Sequence, residues 1–298
     1  MIKKQITAKT AGQPIRSYVQ TEVGLSQRLL KKLKAIDGGI QVNGVEKTVR
    51  YILQTDDILC LRLPESRNQT SIIPEEVPFK IHYEDDDVMV IEKPAGIATI
   101  PSRDHPSGTV ANGIIFYYDK ISHPHTVHVV TRLDRDTSGL LLIAKHPHAH
   151  SLLSRQLQKG KIERKYLAIV HGRLAQENGT INAAIGRKAD SLIERIVRED
   201  GQRAVTHYEV IEECGDFSLV HIQLETGRTH QIRVHFAYLG HPLVGDNLYG
   251  GNVEMLSRQA LHASALSFQH PTKGEDMEFH VKLPTDLEKI CRDFDLSH

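Results

Sequence analysis

Apolar and polar positions divide the chain into two patterned stretches joined by an unpatterned one. After Pro14, Ile15, Tyr18 and Val19 fall at i, i+3 and i+4, which predicts a helix over 14–22. Leu25-Ser26-Gln27-Arg28 then reads as a second helix start with Ser26 as N-cap, and Leu29, Leu30 and Leu33 supply its apolar stripe. Gly38-Gly39 ends that helix. Ile40-Gln41-Val42 alternates like a strand and closes on Asn43-Gly44, a hairpin turn signal, and 57–61 gives one further strand. A small α+β unit is therefore expected over about residues 13–64. Residues 65–78 are polar, carry Pro74 and Pro78 and have no period, as a linker does.

From 79 to 298, short β-like runs alternate with helical ones. Strands are predicted at 88–92, 126–130, 139–144, 166–170, 205–211 and 217–224, and helices at 147–159 and 229–239. There is no βαβ rhythm and no glycine-rich dinucleotide fingerprint. The expected fold class is α+β: a mixed, mostly antiparallel sheet with flanking helices, preceded by the small unit.

Composition narrows the field of functions. The 298 residues suffice for one large and one small domain. Lys+Arg and Asp+Glu are both 37, so binding to a polyanion must come from local patches. One such patch lies in 13–64, where eight basic residues face five acidic ones and Arg28, Lys31, Lys32 and Lys34 share the second helix. That pattern fits either a solvated face or an RNA-binding one. Cys60, Cys214 and Cys291 are far apart, with no CxxC pair, which argues against a disulfide framework or a structural zinc. The N-terminus lacks a signal peptide's apolar stretch, and the run at 139–144 is too short to span a bilayer, so a cytoplasmic protein is expected. Histidines number 18, and His123, His125 and His128 cluster, as do His146, His148 and His150. Both groups lie near prolines without partnering cysteines or an HExxH motif, and no metal role is assigned to them.

The most informative stretch runs from Thr131 to Lys145. A charged turn, Arg132-Leu133-Asp134-Arg135-Asp136, feeds the apolar run Gly139-Leu140-Leu141-Leu142-Ile143-Ala144. A carboxylate at the mouth of a buried strand is held firmly and partly desolvated, which suits Asp134 to act as nucleophile or base. The same pattern describes an ordinary acidic turn. Asp134 and Asp136 alternate and would face opposite ways in an extended segment, which weakens a two-metal hydrolase reading.

The wording of this stretch resembles the first signature, HRLDxxTSGLL, of the RluA/RluD family of RNA pseudouridine synthases. Glu163-Arg164-Lys165-Tyr166-Leu167-Ala168-Ile169-Val170-His171-Gly172 resembles the second signature. Leu224-Glu225-Thr226-Gly227-Arg228-Thr229-His230-Gln231-Ile232-Arg233-Val234-His235, with the tail Gly240-His241-Pro242-Leu243-Val244-Gly245-Asp246-Asn247-Leu248-Tyr249-Gly250, resembles the third. Weaker matches at 83–86, 92–96, 201–208, 259–263 and 283–284 extend the cover to nearly all of 13–290. One departure stands out: Thr131 occupies the place where the family usually has His. The small unit resembles the S-four-like RNA-binding domain named for a ribosomal protein.

The resemblance implies a cofactor-free isomerase that turns uridine into pseudouridine. Asp134 would attack the uridine or abstract a proton from its sugar, Tyr166 would stack on the target base, and Arg233, with Arg228 as second choice, would pair with Asp134. Arg132 would fill the gap left by the flipped-out base. Each has a plainer alternative: a core tyrosine for Tyr166, an ion pair with Asp136 for Arg132, phosphate binding for the two arginines. Arg28, Lys31, Lys32 and Lys165 are expected on RNA phosphates, with further patch candidates at Lys159, Lys161, Arg164, Arg187, Lys188, Arg195, Arg198 and Arg203. The expected partner is structured RNA, ribosomal ahead of transfer RNA, bound by a monomer with no metal and no membrane. The competing reading is a ribosome-assembly or RNA-binding protein without activity, against which the intact Asp134, Tyr166 and Arg233 argue.

Overall fold

The computed structural model describes residues 1–63, 72–122 and 126–294. The small unit contains β1 (Ile2–Gln5), α1 (Ile15–Thr21), α2 (Gln27–Leu33), β2 (Ile40–Val42), β3 (Val45–Glu46) and β4 (Ile58–Leu61). Its strands form one antiparallel sheet in the order β1-β4-β2-β3. Ser26 caps α2 by accepting the Leu29 N–H at 3.2 Å. Asn43 and Gly44 both take positive φ, 52° and 79°, as the tight β2–β3 hairpin demands. Ile15, Val19, Leu25, Leu33, Leu53, Leu59 and Leu61 are fully enclosed in one core. The expected boundary at residue 13 falls inside this unit, because β1 pairs with β4 and Ile6 is buried in the same core. Three of the four β1 residues are exposed, so no alternation marked that strand.

The remainder carries β5 (Lys80–Glu84), β6 (Val88–Lys93), α3 (Val110–Lys120), β7 (His128–Val129), β8 (Ser138–Ala144), α4 (Pro147–Gln158), β9 (Glu163–His171), β10 (Asn178–Asn182), β11 (Ile185–Arg187) and β12 (Arg195–Val197). It continues with β13 (Val205–Cys214), β14 (Phe217–Leu224), α5 (Gln231–Tyr238), β15 (Leu261–Gln269), β16 (Asp276–His280) and α6 (Thr285–Asp293). One mixed sheet runs β10-β13-β14-β9-β15-β8-β6-β5, with β16 beside β15 and β7 beside β8, while β11 and β12 form a separate hairpin. Every pairing is antiparallel except β8 with β15. The mostly antiparallel α+β architecture is thus as expected.

The parallel pair at the sheet's centre positions the site. β8 is buried at every residue, which explains its unbroken apolar run. Gly139 has φ +112°, and a Cβ there would meet the Ala263 carbonyl oxygen at 2.2 Å. Only glycine lets the two backbones approach so closely. The turn bearing Asp134 leads directly into this strand. Part of the expected linker, 65–71, lies outside the described residues. Beyond it, Ile73 and Glu75 are hydrogen-bonded to Asn112 and Gly108 at the start of α3, so they belong to the larger unit. The small unit touches α4, where Ser151 Oγ and Arg155 Nη1 donate to the carbonyls of Gly24 and Gln20, both at 3.3 Å.

Candidate active site

The turn between β7 and β8 is pinned from several sides. Thr99 Oγ1 donates to the Leu133 carbonyl at 2.7 Å. Lys93, wholly buried, places its ammonium 2.8 Å from the carbonyls of Pro94, Ile97 and Arg135. Burial pulls the Lys93 ammonium down to about 7, while the charges of Asp136 and Asp134 act to keep it protonated. Three simultaneous donations require the ammonium form, since a neutral amine has only two N–H groups. Arg258 Nη1 donates to the Asp136 carbonyl at 3.1 Å, and Gln259 Nε2 to Thr137 Oγ1 at 3.1 Å. Thr131, buried, accepts the Leu142 N–H on its hydroxyl at 3.0 Å, so this departure from the family wording stitches the turn to β8.

Asp134 projects from this frame with 27% of its side chain exposed. Arg233, on α5, donates from Nη1 to Asp134 Oδ2 at 3.3 Å. Its Nε and Nη2 grip Asp246 at 2.7 and 2.8 Å. The Asp246 side chain is 1% exposed and the Arg233 side chain 9%, so this is a buried bidentate pair. The Arg233 guanidinium also lies 4.9 Å from the centre of the Tyr249 ring. Although burial alone would lower its pKa, the bonds to Asp246 and the charge of Asp134 raise it, so the guanidinium is a permanent cation.

Tyr166, on β9, is buried in one apolar cluster with Leu133, Ile232 and Ala263. Burial raises its pKa, with Arg164 opposing and Asp134 reinforcing the shift, so the phenol stays protonated. Asp134 and Arg233 are thus in contact, and Tyr166 is near enough for the charge of Asp134 to act on its phenol. Arg228 does not join them: its Nε donates to the Arg203 carbonyl at 3.0 Å, and its backbone N–H to Gln231 Oε1 at 3.0 Å. Arg132 is exposed, and the ion pair with Asp136 that was its plainer alternative falls instead to Arg135, whose Nη2 is 3.0 Å from that carboxylate. Lys165 follows the pleat onto the sheet face opposite Tyr166, alongside Leu167 and His221, and is not brought to Asp134. Arg28, Lys31 and Lys32 are exposed on α2. Lys31 lines a small groove there with Arg16, Lys34, Gln20 and Gln27. Lys159 and Arg203 line an open groove of about 610 Å³ with His207, Glu163 and Glu225, which neither Asp134, Tyr166 nor Arg233 borders.

Of the two histidine clusters, His123 and His125 lie outside the described residues. His146 caps α4 and bonds Asp87 at 2.7 Å, while His128 bonds Thr126. Among the described residues, Asp85, Asp87 and His270 come within metal-ligand reach of one another. Lys273 and His270 each lie 2.8 Å from Asp85, with Tyr83 at 3.0 Å, so the carboxylate is already met by donors of the protein.

Asp246 is a site residue that the sequence did not single out, although it lies in the tail of the third signature. Its signal was an acid between Gly245 and a polar turn in an otherwise apolar stretch, which does not by itself point to a partner thirteen residues earlier.

A family model for RNA pseudouridylate synthase matches residues 87–238. An uncharacterized RNA pseudouridine synthase, YjbO, of Bacillus subtilis (strain 168) is 52% identical over 91% of this chain and 96% of its own length. The chain belongs to the RNA pseudouridylate synthase family. It is accordingly an isomerase acting on RNA. The ribosomal large subunit pseudouridine synthase D of Vibrio parahaemolyticus is 39% identical over 85% of this chain and 82% of its own. Among solved structures, the human RNA pseudouridylate synthase domain containing 1 protein aligns with TM-score 0.57 at 26% identity, over 74% of this chain and 96% of that one. Among the described residues, no helix of this pseudouridine synthase is long and apolar enough to cross a membrane.

Proposed function

We propose that this pseudouridine synthase converts one or more uridines of ribosomal RNA to pseudouridine with Asp134 as its nucleophile or base. The observation that carries this reading is the Asp134–Arg233 contact of 3.3 Å, made by an arginine whose other nitrogens are locked on Asp246. In the reaction, the bond from the base nitrogen to the sugar breaks and a bond from carbon 5 of the base to the same sugar carbon forms. Carbon 5 loses its hydrogen and the nitrogen gains one, so the product is an isomer and no outside reactant is consumed.

Asp134 begins the sequence from the mouth of β8, either by attack on the uridine or by removal of a sugar proton. Arg233 stabilises its carboxylate form. Tyr166 supplies a face on which the loosened base turns, and its apolar surroundings keep water away from the open bond. The target base has to leave its stack to reach Asp134, at a cost of a few kcal/mol, and the exposed Arg132, two residues before Asp134, would occupy the vacated space. Ribosomal RNA is favoured over transfer RNA by the 39% identity to a relative named for the ribosomal large subunit. The small unit, with Arg16, Lys31 and Lys34 around one groove, would add phosphate contacts in the manner of an S-four-like domain.

Tritium release from RNA labelled at uracil carbon 5 tests the reading. Wild type is expected to release label from ribosomal RNA, and Asp134→Asn to bind the RNA but release none. Turnover by Asp134→Asn near the wild-type rate would remove Asp134 from its role.

A further inference from the structure

His230 and Tyr249 border the site but have no part in the chemistry above. His230 stands at the entry to α5 with φ +59°, a left-handed conformation that strains a side-chain-bearing residue. Its side chain is 12% exposed, and its Nε2 lies 4.0 Å from Asp134 Oδ2. Its Nδ1 lies 2.8 Å from the Tyr249 hydroxyl, and the two rings meet edge-on with centres 5.6 Å apart. The same hydroxyl accepts the backbone N–H of Arg195, at the start of β12, at 3.0 Å.

These bonds bear on the imidazole's tautomer. The Tyr249 oxygen already accepts from Arg195, and its single proton needs an acceptor. Among the described residues, His230 Nδ1 is the acceptor it meets. With that proton given to Nδ1, a neutral imidazole bears its own on Nε2, the nitrogen facing Asp134. Burial favours that neutral form and outweighs the opposing charge of Asp134; Arg233 and Arg195 act with burial, and Asp246 against it.

We propose that His230 is a positioning residue for Asp134, donating its Nε2–H to Oδ2 in a tautomer fixed by the Tyr249 hydroxyl. The inference rests on the reading of Asp134 given above. Arg233 reaches Asp134 through a single nitrogen, also on Oδ2. One point contact leaves a carboxylate able to swing; a second donor on the same oxygen fixes it and leaves Oδ1 to react. The 4.0 Å gap exceeds a hydrogen bond, and catalytic bonds of this kind commonly shorten when substrate binds.

The test compares His230→Ala, His230→Gln, Tyr249→Phe, the His230→Ala/Tyr249→Phe double variant and Asp134→Asn. It reads single-turnover tritium release, RNA affinity and melting temperature. His230→Ala is expected to slow turnover about 10- to 100-fold with affinity unchanged, the scale of one charge-assisted hydrogen bond. His230→Gln, whose amide can place an N–H where Nε2 stood, is expected to recover most of the rate. Tyr249→Phe should slow turnover less than His230→Ala and add nothing to it in the double variant, because the hydroxyl reaches Asp134 only through the imidazole. Should His230→Ala fail to fold, His230→Gln and Tyr249→Phe still carry the comparison. An inactive Asp134→Asn beside a His230→Ala or Tyr249→Phe enzyme of wild-type rate overturns the inference alone, as does His230→Gln no faster than His230→Ala with additive double loss. An active Asp134→Asn overturns the underlying reading as well.

Discussion

Replacing Asp246 with Asn probes the scaffold behind Asp134 most directly. The side chain keeps its shape but exchanges one carboxylate oxygen for an NH2 group. Arg233 presents only N–H donors, at 2.7 and 2.8 Å, so one of the two bonds becomes donor against donor. Removing one partner of a buried pair leaves an uncompensated charge, and such changes destabilise by about 3–5 kcal/mol. The guanidinium would be drawn toward its remaining carboxylate, Asp134, and lose the orientation that aims Nη1 at Oδ2. A placement loss of about 1.4–2.7 kcal/mol at the reacting group slows turnover about 10- to 100-fold. Denaturant unfolding and single-turnover tritium release measure the two effects separately. A double replacement separates them further. Arg233→Met with Asp246→Leu removes both charges and fills the same volume, so much of the lost stability should return. Activity should not return, because Asp134 would still lack Nη1. An Asp246→Asn enzyme that unfolds and turns over like wild type would refute the account of Arg233 as a cation held by Asp246. A doubly apolar variant with full activity would refute its role toward Asp134.

Gly139→Ala places a methyl 2.2 Å from the Ala263 oxygen at φ +112°, so a stability loss of about 3 kcal/mol or more is expected; a variant melting at the wild-type temperature would deny the close approach. His148 and His262 are buried, and desolvation lowers each to about 4 from an ordinary 6.5, so the folded state excludes a proton that the unfolded chain binds. Stability is therefore whole above pH 6.5 and lost as pH falls toward 4, by up to about 1.4 kcal/mol per pH unit for each group, and His262→Gln should flatten that decline in acid titrations of unfolding. Alanine at Arg16, Lys31 and Lys34 together should lower the slope of log affinity against log salt by about 0.7–0.9 for each phosphate these side chains neutralise, and an unchanged slope would show that this groove does not meet RNA.

The elements the chain announced best are those whose burial is one-sided or complete. α2 showed its cap and stripe, though it ends at Leu33, ahead of Gly38-Gly39, and β8 showed its unbroken apolar run, because each of these local patterns agrees with its place in the fold. The strand that pairs with β8 in parallel was invisible. β15 reads Leu-His-Ala-Ser-Ala-Leu-Ser-Phe-Gln, and its small and polar residues pack only because Gly139 admits it and Ser138 Oγ meets His262 Nδ1 at 2.9 Å. α3 escaped for another reason: its buried face includes Asn112 and Gly113, so its apolar stripe is interrupted. At the site, motif wording led to Asp134, Tyr166 and Arg233, while of the residues that hold the turn Lys93 and Gln259 fell only within the weaker matches at 92–96 and 259–263, and Thr99 and Arg258 in none. Lys93, Thr99, Arg258 and Gln259 act on backbone carbonyls and a hydroxyl of the turn, and a bond to backbone leaves little trace in side-chain pattern.

The two carboxylates around Arg233 divide the work, and their geometry supports Asp134 as the one that reacts. Asp246 is 1% exposed and bonded through both oxygens, so each of its lone-pair directions toward the site is spent on the guanidinium. Asp134 is 27% exposed and touched at one oxygen, at the longer distance of 3.3 Å. A reacting carboxylate has to be aimed without being tied up, because every strong bond made in the ground state must be broken or matched in the transition state. The tight pair fixes the cation, and the fixed cation then aims the loose one. That ordering also accounts for the chain separation: Arg233 and Asp246 lie within one continuous segment that folds as a unit around α5, whereas Asp134 comes from the turn before β8, 99 residues away along the chain. Disturbing the segment should therefore misdirect Asp134 without moving it, and disturbing the turn should move Asp134 while leaving Arg233 in place.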